Sequence, residues 1–108
     1  MAHADKEFVD YLIDQIGDTL ITRRAMFGAQ GLYHDQIFFG IVDDGVLYLK
    51  TNDRTRERYL KEVMKPLRAT KELVLTKYFE VPEHIVDDRE TLHEWAQESW
   101  RIAGLEKF

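Results

Sequence analysis

Apolar residues near the start of the chain recur at helical spacing. In DKEFVDYLIDQI, residues 5–16, Phe8, Leu12 and Ile16 fall one turn apart, with Val9 and Ile13 beside them. That stripe predicts an amphipathic helix, with Asp5 as its N-cap and Gly17 as its stop. From Ile21 the pattern changes from helical to alternating. GLYHD, QIFFGIVDD and GVLYLKT are rich in branched and aromatic residues and are separated by polar breaks. His34-Asp35-Gln36 reads as one turn, and Asp44-Gly45 as a tight hairpin, because glycine tolerates positive φ. An antiparallel meander of three strands follows, with room for a short fourth around Arg24 to Phe27.

Asn52 caps a second helix from about Asp53 to Met64, which must stop where Lys65 precedes Pro66. Residues 73–81, LVLTKYFEV, alternate again as a strand closed by Pro82. Asp87 or Asp88 caps the last helix, in which Leu92, Trp95, Ala96, Ser99 and Ala103 share one face and Gly104 ends the element. Trp95 belongs to that face and is expected in the core. Trp100 lies off it and is expected at a sheet edge or a subunit contact. The predicted order is α-β-β-β-α-β(-β)-α. Consecutive strands argue α+β with helices packed on an antiparallel sheet, against a doubly wound nucleotide fold. The chain is read as one domain, residues 1–108.

Gly28 and Gly31 in RRAMFGAQGLYHD raise the question of a phosphate loop. Such a loop follows a strand and opens a helix, whereas these glycines lead into strand-like sequence and no Gly-Lys-Ser or Gly-Lys-Thr comes after. With Gly45 they are read as structural turn glycines, marking a bend or bulge.

Composition narrows the chemistry further. The chain has no cysteine, which removes disulfides, thiol catalysis and thiolate metal sites. No apolar leader and no run long enough to span a bilayer is apparent, so a cytoplasmic protein without a membrane role is expected. His3, His34, His84 and His93 lie in different elements, never at i, i+4, and no metal is expected. Asp43-Asp44 belong to a turn and Asp87-Asp88 to a cap, while Ser99, the only serine, has no nucleophile elbow. No catalytic residue and no cofactor is predicted.

Charge is unevenly spread. Net charge is −5, yet residues 50–77 carry nine basic against four acidic side chains, while both flanks are acidic. Arg54, Arg58, Lys61 and Lys65 follow at i, i+4, i+7 and i+11, with Leu60, Val63 and Met64 on the other side. This predicts a basic face that docks an acidic partner, extended by Arg23 and Arg24. Direct DNA binding is not expected of a chain this acidic overall. A homodimer is compatible with a small sheet that leaves an edge to cover. The alternative is a ligand-binding protein or enzyme whose pocket, between sheet and helices, is lined by Tyr33, Phe38, Tyr48 and Tyr78.

Two separated segments, RRAMFGAQGLYHDQIFFGIVDDGVLYLKTN and YFEVPEHIVDDRETLHEWAQESW, resemble the TfoX (Sxy) N-terminal domain family. The resemblance implies a secretion-chaperone-like α+β fold and a regulatory role in natural competence, acting with a cyclic-AMP-receptor-type transcription activator. It carries over no catalytic residue. Full regulators of this kind continue into a helical C-terminal domain, which is not expected here. The resemblance therefore speaks more for fold than for activity.

Overall fold

A computed structural model describes residues 6–106; the predicted cap Asp5, like His3, lies outside them. The elements are α1 (Lys6–Ile16), β1 (Ile21–Met26), β2 (Ala29–His34), β3 (Ile37–Asp43), β4 (Val46–Lys50), α2 (Asp53–Lys61), β5 (Pro66–Arg68), β6 (Val74–Glu80), α3 (Glu83–Val86) and α4 (Arg89–Glu106). The strands form one antiparallel sheet in the order β1-β2-β3-β4-β6-β5. This is the α+β arrangement that the alternating middle of the sequence predicts.

The first four strands are joined by three two-residue turns, each with positive φ at both central positions. They are Phe27-Gly28 (49°, 83°), Asp35-Gln36 (48°, 70°) and Asp44-Gly45 (51°, 75°). Such turns match the twist of the strands they connect. Gly28 and Gly45 sit where glycine relieves that geometry. Gly31 lies elsewhere, inside β2 opposite Arg24 and Ile41, where a Cβ would come within 3.1 Å of the Phe38 ring. Its role is close packing between side chains, not a turn.

Within β3, Gly40 pairs with Leu32 and Phe38 with Tyr33, leaving Phe39 unmatched as a bulge. Phe39, Gly40 and Val42 thereby turn towards the helices, while Phe38 and Ile41 face the other way. The helix-side core gathers Leu32, Phe39, Val42, Leu47 and Leu49 from the sheet against Val9, Leu12 and Ile16 of α1 and Leu92, Trp95 and Ala96 of α4. Trp100 joins them. It is 9% exposed and stacks on His34 with ring centroids 3.9 Å apart, which places it in the core and not at an edge. The buried stripe of α4 is wider than predicted because the helix packs on both the sheet and α1.

Asp88 caps α4 by accepting from the Thr91 amide at 3.2 Å. The helix runs on through Gly104, where an added Cβ would meet no neighbouring atom, and does not end there. The short α3 after Pro82 and the short β5 are further elements of the connections. Pro66, which lacks a donor, is tolerated in β5 because that strand is an edge.

Helix α2 opens with a full capping box between Asn52 and Thr55. It stops at Lys61, short of Met64, through a left-handed closure. The Met64 amide bonds the Tyr59 carbonyl at 3.0 Å and the Val63 amide the Leu60 carbonyl at 2.9 Å. Val63 occupies the position that usually holds glycine, at φ 60°, which costs a branched residue roughly 1–3 kcal/mol.

Candidate functional site

The basic residues predicted to form one surface are divided by the fold. Tyr59 seats α2: it is fully buried, with its ring 4.7 Å from Trp95 and 6.1 Å from Phe79. Thr55, one turn earlier, is buried with it. This rotation leaves Leu60 54% and Val63 77% exposed, where the hydrophobic pattern alone places them inside. Only Met64 of that trio packs against the core.

Arg58 follows Tyr59 inwards. Its guanidinium ion-pairs with Glu98 of α4 and lies 4.7 Å over the ring of Trp95. By contrast Arg54, Lys61 and Lys65 are exposed, and among the described residues no ion pair or side-chain hydrogen bond engages them. The outer surface of α2 and its closing turn is therefore mainly basic and apolar, with Arg54, Leu60, Lys61, Val63 and Lys65 and the exposed carboxylate of Glu57 among them. Glu62, at its border, is held by His84 at 3.0 Å.

Arg23 and Arg24 do not join this surface. Strands β2, β3 and β4 separate them from β6, against which α2 packs. Arg23 faces the helices, ion-paired with Asp10 at 2.9 Å. Arg24 faces the other way and lies 4.9 Å over Tyr33.

The aromatic residues of the alternative reading also occupy that opposite side. Tyr33 and Phe38 lie 5.2 Å apart and Phe38 and Tyr78 5.5 Å apart, a row on the sheet face turned away from the helices. Burial pushes the Tyr78 hydroxyl up to about 12, with Glu106 adding to it. Burial raises Tyr48 as well, helped by the carboxylates of Glu80, Asp43 and Asp44. Tyr33, Phe38 and Tyr78 thus pack as a row on that face, and Phe38 and Tyr78, with Lys50 and with Ala103 and Glu106 of α4, line a recess of about 320 Å³ that Tyr33 and Tyr48 do not border.

On the same side, the β1–β2 hairpin and the β5–β6 loop enclose an apolar cleft of about 420 Å³. Ile41 and Leu67, both buried, lie among its walls, with Met26, Ala29, Leu73 and Leu75. Asp43 brings a carboxylate to the lining, and Phe27 stands at the cleft fully exposed. Neither feature emerges from hydrophobic period alone. The available signal was a phenylalanine immediately before the glycine of a tight turn.

The remaining polar groups have structural occupations. His93 approaches the Ile16 carbonyl through Nδ1 at 2.6 Å, and because a carbonyl only accepts, that nitrogen carries the proton. His34 Nε2 meets Asp18 at 3.3 Å. The Ser99 hydroxyl is within bonding distance of the carbonyls of Lys50 (2.8 Å) and Trp95 (3.1 Å). Among the described residues, no group of three or more histidines and carboxylates is placed to hold a metal ion. Nor is any described helix long and apolar enough to cross a membrane.

The fold and its surface define an α+β domain whose distinctive features are a basic and apolar helix face and a separate apolar cleft. Residues 12–103 match the TfoX N-terminal domain, and the chain belongs to that family. No curated protein matches the chain.

Proposed function

We propose that this chain is a non-enzymatic protein-interaction domain of a competence-regulating, DNA-transformation system in the cytoplasm. The outer face of α2 docks an acidic surface of a transcription activator of the cyclic-AMP-receptor type. The observation that carries this reading is the exposure of Leu60 and Val63 among the unpaired cations Arg54, Lys61 and Lys65. Aliphatic side chains in solvent add nothing to the monomer, and Val63 is held there at the expense of backbone strain. An apolar centre with a charged rim is the anatomy of a protein contact, and the excess of cations over Glu57 in that rim steers encounter with an opposite charge. A net charge of −5 and the carboxylates around the opposite sheet face disfavour direct DNA binding by this domain.

The test is capture of such an activator by the wild-type chain, by R54E/K61E/K65E and by Val63→Gly. The charge variant should lose capture and its salt dependence while melting as before. Glycine suits the left-handed position, so Val63→Gly should fold at least as well yet bind more weakly. Undiminished capture by both variants overturns the reading.

A further inference from the structure

We infer that the apolar cleft beside the β1–β2 hairpin receives Phe27 of a second copy of this chain, forming a reciprocal two-fold dimer. The three tight turns supply an internal comparison. Asp35 and Asp44 occupy the first left-handed position in two of them, a position that short polar residues tolerate. In the third that position holds Phe27, at φ 49° and fully exposed. Nothing within the monomer accounts for a strained aromatic ring in water. An observed outlier of this kind points to a contact outside the molecule.

The same hairpin borders a cleft of about 420 Å³ walled by Leu67, Leu73 and Leu75, with Leu73 itself 51% exposed. Knob and hole thus occupy one surface, as a two-fold contact between identical chains requires. Charge agrees. Arg24, three residues before Phe27, is exposed, and among the described residues it forms no ion pair. The carboxylate of Asp43 in the cleft lining likewise has no hydrogen bond or ion pair among them. A second hairpin entering the cleft brings one aromatic knob and one cation to a site with an apolar wall and one anion. Because β1 is an edge strand, nothing in the sheet stands between the two hairpins. This goes beyond the α2 reading and uses none of its residues; the pair would present two α2 faces to a partner at once.

Sedimentation equilibrium of the full chain, from about 1 μM to about 1 mM, reads the association directly. Wild type should dimerise. Phe27→Asn should raise the dissociation constant roughly thirty-fold or more, since a knob in an apolar pocket is where binding energy concentrates. Asparagine accepts the left-handed turn, so this variant should melt no lower than wild type at concentrations where both are monomeric. Arg24→Asp and Asp43→Arg should each weaken the dimer, and R24D/D43R together should recover it. R54E/K61E/K65E should dimerise like wild type, which separates this inference from the α2 reading. A chain that stays monomeric over the whole range overturns the inference. So does a dimer that Phe27→Asn leaves intact, or a monomer whose Phe27 is needed only to capture a different protein.

Discussion

Arg58 lies 4.7 Å over the ring of Trp95, and with the Glu98 ion pair this contact ties α2 to α4. Arg58 is thus a structural cation, as is Arg56, which pairs with Asp53, whereas the exposed Arg54 and Lys61 of the same helix are unengaged among the described residues. Arg58→Ala should lower unfolding free energy by about 1–3 kcal/mol, since it removes a cation–π contact and leaves a half-buried carboxylate unpaired. Lysine at this position should restore little, lacking the planar group that both partners use. Arg54→Ala and Lys61→Ala should stay within about 0.5 kcal/mol of wild type. Urea denaturation of the four variants separates these outcomes.

Two strand glycines should respond differently to the same substitution. At Gly40 a new Cβ would lie 3.1 Å from the Tyr48 carbonyl oxygen and 3.2 Å from Leu49 Cδ2, and the ladder fixes that oxygen. At Gly31 the neighbours are the Phe38 ring at 3.1 Å and the end of Met26 at 3.3 Å, both able to shift. Gly40→Ala should cost about 1–3 kcal/mol and Gly31→Ala distinctly less, measured by chemical denaturation.

Asp18 should contribute to stability against acid. Its carboxylate accepts the Leu20 amide at 2.8 Å and faces His34, and these contacts hold it below the usual carboxylate range, the amide bond foremost. A depressed folded-state value means the contribution is present above the ordinary carboxylate pKa. It is lost as pH falls through the lower folded value. Asp18→Asn should therefore be less stable than wild type at neutral pH, and the gap should close as pH drops below about 4. A difference that is constant down to the acid limit would contradict this.

Tyrosine ionisation should govern the alkaline limit. Burial holds Tyr59 well above the ordinary phenol value and Tyr78 up to about 12. Raised folded values mean that stability is complete below the ordinary value of 10.0 and drains away as pH climbs towards the folded ones. Late tyrosinate absorbance should appear together with loss of circular dichroism. The buried Tyr59 hydroxyl has no hydrogen-bond partner among the described residues. Tyr59→Phe should thus be neutral or stabilising by up to about 1 kcal/mol.

The alternating period was enough to read the meander, and Asp44-Gly45 enough to place a hairpin, because both depend on local rules. The rotation of α2 was not legible. Leu60, Val63 and Met64 mimic a buried stripe, but Tyr59 and Thr55 win the interior through contacts with Trp95 and Phe79, far away in sequence. Asp35-Gln36 forms the expected turn although it has no glycine, whereas β5, three residues beginning at Pro66, is too short to carry a period. The candidate surface was half legible. Charge spacing identified Arg54, Lys61 and Lys65, but nothing local could tell that Arg58 turns inwards to Glu98. The cleft depends on strands at opposite ends of the sheet, and so lay outside any sequence window.

The unmatched residue at Phe39 has a consequence for comparing relatives of this chain. One supernumerary position reverses the parity of everything downstream in β3, so Ile41 and Val42 exchange the sides that strict alternation would give them. A relative with a strand of equal length that pairs without this bulge must carry an inverted odd–even pattern in the second half of the strand, or forfeit the floor beneath Phe27. Alignments that slide a gap freely through IFFGIVD would conceal this dependence, whereas anchoring them on the Leu32–Gly40 pairing would expose it.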